Sequence, residues 1–195
     1  MKQEVIILSQ DVEKLKKRAK KIKQEQSIPH HQALEIVATD AGFQNWHQIT
    51  KANEPVKVSE AAYYKGCVIA MDMKQGVGFD TSDGVFVEDE YIIFCAHGFL
   101  YKQFINCVDE CDEHDRKLSE THSSEELKEW FEDEMMNHMF FRLTKPGVDS
   151  VKEVLSLVNK RSFWPPMFMW IKGEFIDTYD LPAVDSDDNV VGLRW

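Results

Sequence analysis

The sequence predicts an α+β protein in which a small three-helix N-terminal module precedes an acidic α+β domain with an antiparallel C-terminal sheet. Two observations predict this fold class. Apolar residues recur at spacings of three and four along the first fifty residues, whereas the remainder mixes helical spacing with short apolar runs beside turn residues. The charge also changes sign, since residues 1–57 hold ten bases and seven acids while residues 58–195 hold thirteen bases and 27 acids.

The composition is that of a globular chain. Hydrophobic residues make up 43% and aromatic residues 11% of the 195 residues, which a disordered chain lacks. A fold of this length buries roughly 70% of the surface of the unfolded chain, so no disulfide or metal is needed to stabilise it. Four irregularly placed cysteines argue against a secreted disulfide scaffold, and Met1–Gln10 lacks a signal-peptide pattern. Because no apolar run approaches the roughly 20 residues that cross a bilayer, we expect a cytoplasmic protein without a membrane segment.

Three short helices are predicted over residues 1–52. The first covers about 11–26, where the apolar side chains share one helical face: Val12, Leu15, Ala19 and Ile22. Ser27 is expected to cap the second helix, with Pro29 in its first turn and Gly42 at a left-handed stop. A third helix starts with Phe43 and Trp46.

Residues 53–60 predict a linker, because they are polar, include Pro55 and show no helical period. The domains expected on either side are a basic helical module over 1–52 and an acidic α+β domain over 61–195.

The acidic domain combines strands with helices. Strands are predicted at 67–72, 85–87, 140–143, 167–171, 175–177 and 190–193. A long amphipathic helix is predicted at 89–117, with a strand over 91–96 as the alternative. Ser123 and Glu126 form a capping box that opens a further helix, and Asp149 or Ser150 caps another.

Residues 12–50 carry a composite pattern: a basic helix, then Gln32-Ala-Leu-Glu-Ile-Val-Ala38, then Gly42-Phe-Gln-Asn-Trp46. This pattern resembles the small helical N-terminal module of uncharacterised bacterial proteins, many of them plasmid- or phage-borne, and of some glyoxalase-superfamily proteins. The resemblance implies a module that binds a partner. The downstream region shows no glyoxalase metal pattern, so the resemblance brings no enzymatic activity with it.

The basic residues of the first helix are the first candidate site. Seven positive charges fall within ten residues: Lys14, Lys16, Lys17, Arg18, Lys20, Lys21 and Lys23. Such a face can neutralise phosphates and release their counterions, and the segment that follows resembles a helix-turn-helix in outline. The residues predicted to contact nucleic acid or an acidic partner are Lys14, Lys17, Arg18, Lys21, Gln44 and Asn45. The alternative is a solvated face that keeps the module soluble or docks on the acidic half of the chain.

Cys107, Cys111 and His114 are candidate metal ligands. If this segment is helical, residues three and four apart share a face, so two thiolates and an imidazole could converge on zinc. The neighbouring acids could instead hold a harder cation. The alternative interpretation places the cysteines on a buried helix side and the acids in water.

Catalysis finds weaker support in the sequence. Asp72 and Asp80 could form an acid pair at the ends of facing strands, and Cys95 lies two residues from His97. No Gly-x-Ser-x-Gly elbow, His-Glu-x-x-His motif or phosphate-binding glycine loop occurs. We therefore assign no catalytic residue and expect no cofactor.

Two further features suggest protein partners. Trp164, Pro165 and Trp170 are candidate interface residues, with a role in the core as the alternative. The acidic runs, such as 109–115 and 185–188, could imitate nucleic-acid phosphates and occupy the basic groove of a host defence protein, or could serve solubility alone.

The sequence thus predicts a non-catalytic binding protein whose basic module contacts nucleic acid or an acidic partner. The alternatives are a metal-dependent or acid–base enzyme and an acidic mimic of nucleic acid.

Overall fold

The computed structural model describes residues 5–194, which divide into two compact units between Glu60 and Ala61. Met1–Glu4 and Trp195, which belong to the predicted domains 1–52 and 61–195, lie outside the described residues.

The first unit is helical. It contains α1 (Ser9–Gln26), α2 (His30–Asp40), α3 (Trp46–Asn53) and the first half of α4 (Val56–Lys65). Two small apolar clusters hold the first three helices together. One is built on Val12, Ala38 and Ile49, and the other on Ala19, Ala33 and Val37. The predicted three-helix module is therefore present.

Ser27 ends the first helix and does not cap the second, so the prediction for this residue was wrong. Its φ of 53° places it in the left-handed region, which stops α1, and α2 then begins after Pro29 without a side-chain cap. Gly42 has a φ of 85°, and its amide donates to the carbonyl of Thr39 at 3.0 Å. The left-handed stop predicted at Gly42 is confirmed.

The segment predicted as a linker, 53–60, is largely helical. Helix α4 begins directly after Pro55, a residue that is favourable at a helix start because its missing amide N–H has no helical partner there. Val56, Ser59 and Tyr63 recur at helical spacing and are all buried. Because Ser59 is polar, this buried stripe does not show as an apolar period in the sequence.

A five-stranded antiparallel sheet forms the centre of the second unit. Its strands are β1 (Cys67–Asp72), β2 (Phe86–Glu88), β3 (His138–Leu143), β4 (Phe168–Ile171) and β5 (Glu174–Asp177), in the order β2-β3-β1-β4-β5. A separate two-stranded antiparallel sheet pairs β6 (Ala183–Val184) with β7 (Val190–Gly192). The α+β class and the antiparallel C-terminal strands are confirmed.

The helices of this unit are α5 (Met73–Gly76), α6 (Ile92–Phe104), α7 (Leu118–Thr121), α8 (Ser124–Met135) and α9 (Val151–Val158). The helix predicted at 89–117 is present only as α6. Beyond it, Asp109 and Asp112 accept the backbone amides of Cys111 and His114 at 3.0 and 3.1 Å, so their side chains stabilise turns instead of a helix. The predicted capping box of Ser123 and Glu126 opens α8, and Ser150 caps α9.

Both faces of the large sheet are covered, because β1 alternates between two apolar clusters. Ile69 and Met71 pack on the side of α9, with Val154 and Val158. Val68 and Ala70 pack on the side of α6 and α8, in a cluster with Ile92, Ala96, Phe131, Met135 and Trp170. No helix found within residues 5–194 combines the length and apolar character that a bilayer crossing requires.

Candidate nucleic-acid interface

One stripe of side chains on helix α1 packs into the core, and the other side chains face solvent. Val12 and Ala19 are buried, and Leu15 and Ile22 pack beside them. The basic residues occupy the remaining surface, and each is exposed: Lys14, Lys16, Lys17, Arg18, Lys20, Lys21 and Lys23. Only three acids lie on the same helix, so α1 carries a net positive charge.

Four of the seven cations are paired with carboxylates. The pairs are Lys14–Asp11 (2.8 Å), Lys16–Glu13 (2.6 Å), Arg18–Asp40 (2.6 Å) and Lys21–Glu25 (3.7 Å). All are surface pairs, which typically contribute less than about 1 kcal/mol to stability. Three of the predicted contacts, Lys14, Arg18 and Lys21, are thus partly neutralised within the chain.

The other three cations have no such partner. Among residues 5–194, no carboxylate lies within 4 Å of the ammonium groups of Lys17, Lys20 and Lys23. These residues follow one another at three-residue intervals and form a row along the exposed side of α1, called here the lysine row. Lys17 belongs both to this row and to the predicted set, whereas Lys20 and Lys23 were not selected, because the prediction rested on the number of charges and not on their ion pairs.

The predicted polar contacts lie in the connection between α2 and α3. Asn45 is the N-cap of α3, and its Oδ1 accepts the amide of Gln48 at 2.9 Å. The amide of Gln44 donates to Oε1 of Gln48 at 2.7 Å. Both residues are exposed, but neither lies within a helix that could present it to base edges. The capping role of Asn45 accounts for an asparagine at this position without any contact to a base.

A cleft of about 200 Å³ opens next to the basic helix. Its walls are Ser9, Val12, Glu13, Lys16, Trp46, Thr50, Asn53 and Lys57. Trp46 also packs against the Val12–Ile49 cluster, so part of its indole belongs to the core and part to the cleft. Sequence reasoning missed this Trp46 cleft, because Lys57 belongs to the segment that was predicted as a linker.

Hydrogen bonds fix the inner end of the Trp46 cleft. Asn53, which is 4% exposed, donates Nδ2 to the carbonyl of Ile7 at 2.9 Å and to Oγ of Ser9 at 3.1 Å. Glu60 accepts both the amide of Ser9, at 2.8 Å, and its hydroxyl. This carboxylate caps the N-terminus of α1, where Leu8 has no side-chain acceptor. Because Asn53, Ser9 and Glu60 are engaged, Trp46 and Lys57 are the groups best placed to contact a ligand. Lys16 lines the same cleft but is paired with Glu13.

The predicted metal ligands do not form a site. Within residues 5–194, no group of three His, Cys, Asp or Glu side chains is arranged to hold a metal ion. Cys107, Cys111 and His114 lie in the turns after α6, so the helical spacing on which the prediction rested is absent. Cys107 is exposed, and its Sγ donates to the carbonyl of Gln103, four residues earlier, at 3.4 Å.

His122 is the best-enclosed imidazole in this region. Its Nδ1 lies 2.8 Å from Oγ1 of Thr121 and 3.6 Å from Oδ2 of the buried Asp109, and its ring centre is 4.6 Å from that of Trp130. The Thr121 hydroxyl and the Asp109 carboxylate both lie next to Nδ1 of the His122 ring. A nucleophile–base–acid relay needs one partner on each nitrogen, so this group anchors the turn and does not form a triad.

The candidate acid–base residues serve local turns. Asp72 accepts the amide of Lys74 at 2.8 Å and caps α5, while Asp80 accepts the amide of Ser82 at 2.9 Å. The hydrogen bonds from Ser82 lower the pKa of Asp80, which favours the carboxylate and disfavours a proton donor. His97 pairs with Glu132 at 2.9 Å, and Cys95 donates to the carbonyl of Tyr91, so these two side chains are directed at other partners.

The predicted interface residues lie mainly inside the fold. Trp170 is 1% exposed and contacts Tyr63 and Phe175 at ring distances of 5.0 and 5.4 Å, so its assignment to an interface was wrong. Pro165 is buried as well, and Trp164 is half-buried against the α9 side of the sheet. The exposed aromatic residue of this segment is Phe163. Trp170 is buried because both faces of β4 are covered, whereas Trp164 and Pro165 precede this strand.

Arg194 closes the C-terminal segment onto the preceding loop. Its two terminal nitrogens donate to Gln75 Oε1 and to the carbonyls of Pro165, Pro166 and Tyr179. Burial lowers the pKa of its guanidinium. The ring centres of Trp164 and Tyr179 lie within 6 Å of the guanidinium carbon. All four terminal N–H groups are used. The buried Nε has no hydrogen-bond partner within residues 5–194, and Arg194 also lines a cavity of about 410 Å³.

Comparisons with protein-family models, with curated proteins and with solved structures gave no match to this chain. The resemblance of residues 12–50 to a helical module of mobile-element proteins therefore stays a prediction.

Proposed function

We propose that the protein binds nucleic acid and that its N-terminal unit contacts the phosphate backbone through the lysine row of α1. One observation carries this proposal. Lys17, Lys20 and Lys23 are exposed along one side of the helix, and no carboxylate of residues 5–194 lies within 4 Å of their ammonium groups. An unneutralised row of lysines gains most from a partner whose negative charges repeat.

The chemistry of lysine favours phosphates as the partner. An ammonium group is a compact point charge on a flexible stem, so it follows a charged backbone without the fixed fork that arginine requires. Phosphate contacts position a nucleic acid but carry no sequence information. Because Asn45 is used as a helix cap, the proposed binding is independent of sequence.

The charge of the whole chain restricts where binding can occur. A net charge of −11 repels a polyanion at long range, and most of the acids lie beyond residue 57. At physiological ionic strength this repulsion decays over about 8 Å, so contact depends on the local field of α1. Binding is therefore expected at the lysine row and not over the general surface.

Fluorescence anisotropy with the full chain and labelled oligonucleotides tests the proposal. The variant Lys17→Gln/Lys20→Gln/Lys23→Gln is compared with Lys102→Gln/Lys128→Gln/Lys145→Gln, which removes three exposed lysines from the second unit. We expect the first variant to bind at least tenfold more weakly than the parent and the second to bind like the parent, because only the first removes phosphate contacts. The proposal is wrong if the parent does not bind, or if the two variants bind equally.

A further inference from the structure

We infer that the Trp46 cleft receives one unstacked base of a single-stranded nucleic acid while the lysine row holds the adjoining backbone. This inference deepens the proposed function and rests on it.

The shape of the site separates single strands from duplexes. A protein reads a duplex by inserting a convex element, usually a helix, into a groove, whereas the bases themselves stay stacked inside the double helix. The Trp46 cleft is concave, and its volume is about 200 Å³. A cavity of this kind receives a group that projects from its ligand, and only an unpaired base projects in this way without the cost of flipping it out of a duplex.

The residues around the cleft match the chemistry of an exposed base. The indole of Trp46 offers an aromatic surface, on which any of the four bases can stack. Lys16 and Lys57 reach the same cleft from α1 and α4. An aromatic wall with cations beside it is the combination by which proteins hold single strands without sequence preference.

Charge is continuous from the cleft to the lysine row. Lys16 lies four residues before Lys20, so the two side chains are neighbours on the surface of α1. Lys20 is in turn flanked by Lys17 and Lys23. A strand with one base in the cleft can therefore continue along the helix with its phosphates next to lysine side chains.

Glu13 competes with a phosphate for the ammonium group of Lys16. Its Oε1 lies 2.6 Å from Nζ of Lys16, and both residues line the cleft. The hydrogen bond from Lys16 and its positive charge lower the pKa of Glu13, so the carboxylate is ionised at neutral pH. A phosphate that approaches Lys16 must displace this carboxylate and is repelled by it. Removing the charge of Glu13 should therefore strengthen binding.

The test measures the affinity of the full chain for a labelled oligothymidine and for a duplex of the same length, at one salt concentration. The variants are Trp46→Leu, Trp46→Phe, Lys57→Gln and Glu13→Gln, with Trp130→Leu as the control for loss of a partly exposed indole elsewhere. Circular dichroism verifies that each variant is folded. If Trp46→Leu does not fold, the comparison of Trp46→Phe, Lys57→Gln and Glu13→Gln decides, since the first keeps a ring and the others lie at the surface.

We expect the parent to prefer the single strand. Trp46→Leu should weaken single-strand binding by roughly fivefold to 150-fold, because one stacked base contributes on the order of 1–3 kcal/mol, and should leave duplex binding unchanged. Trp46→Phe and Trp130→Leu should bind nearly as the parent does, Lys57→Gln should bind the single strand more weakly, and Glu13→Gln should bind it several-fold more tightly.

Two results would overturn the inference and leave the proposed function standing. In one, the parent binds the single strand and the duplex equally, and the lysine-row variant binds neither. In the other, no cleft variant changes single-strand affinity although the lysine-row variant does. Absence of all binding by the parent would instead refute the proposed function.

Discussion

The carboxylate oxygen Oδ2 of Asp89 lies 2.9 Å from Nε of Arg142, and only 6% of the Asp89 side chain is exposed. The second carboxylate oxygen accepts the amide of Tyr91 at 3.1 Å, and the backbone amide of Asp89 donates to the carbonyl of Phe140 at 2.9 Å. One acidic residue thus connects the end of β2, the beginning of α6 and strand β3.

Replacing Arg142 with methionine should destabilise the second unit by about 3 kcal/mol, because the carboxylate of Asp89 would remain buried without its counter-charge. Urea unfolding followed by tryptophan fluorescence measures the loss, since Trp170 lies in the same unit. The double variant Asp89→Asn/Arg142→Met should recover more than half of it. Equal unfolding free energies for Arg142→Met and the parent would show that the pair contributes nothing.

The salt dependence of nucleic-acid binding should identify the lysine row directly. Each phosphate contact on a single strand contributes about 0.7 to the slope of log K against log salt concentration. Lys17→Gln/Lys20→Gln/Lys23→Gln should therefore lower the magnitude of that slope by about two, whereas Lys102→Gln/Lys128→Gln/Lys145→Gln should leave it unchanged. Anisotropy titrations at four salt concentrations measure both slopes. An unchanged slope in the first variant would place the phosphate contacts elsewhere.

Asp112 should make the protein less stable in acid. Hydrogen bonds from Arg116, whose Nη2 lies 2.7 Å from Oδ1, lower the pKa of Asp112 to about 2. Because this pKa is lower in the folded state than in the unfolded chain, the interaction stabilises the fold above about pH 4 and is lost as the pH falls towards 2. The urea midpoints of the parent and Asp112→Asn should differ at pH 7 and converge near pH 2. A difference that persists at low pH would contradict the ion pair.

The cysteines should differ in reactivity. Cys67 is 2% exposed, and burial raises the pKa of its thiol to about 12, so almost no thiolate exists at pH 8. Cys107 and Cys111 are exposed. Iodoacetamide at pH 8, followed by peptide mass spectrometry, should label the two exposed cysteines and reach Cys67 only after guanidinium is added. Labelling of all three at one rate in the native protein would refute the buried position of Cys67.

Local sequence signals predicted the parts of the fold that depend on local interactions. The apolar stripe of α1, the left-handed stop at Gly42 and the capping box at Ser123 all depend on residues within one or two helical turns. Ser27 was misread because serine is a common N-cap, whereas here its φ of 53° ends the preceding helix. The helix predicted beyond Phe104 failed because Asp109 and Asp112 compete for backbone amides, which a hydrophobic pattern does not reveal.

Long-range contacts determined what the sequence could not predict. Strand β1 lies between β3 and β4, which follow it by more than sixty residues, and no local pattern specifies that order. The Trp46 cleft likewise joins α1 to residues thirty or more positions later. The basic helix itself was evident from seven charges. Three of its four ion pairs join residues three or four apart on α1, whereas the pair between Arg18 and Asp40 depends on how α1 packs against α2.

The central position of β1 has a consequence for how the chain selects its strand register. When one face of a strand is exposed to solvent, the polarity of its side chains sets the register, because a shift of one residue would bury the polar side chains. Both faces of β1 are apolar, so polarity cannot align it. Ala70 lies between Phe140 and Phe168 on the neighbouring strands, and a shift of one residue would put Ile69 or Met71 between those rings. Side-chain volume, with one small residue between two large ones, therefore distinguishes the correct alignment from its neighbours.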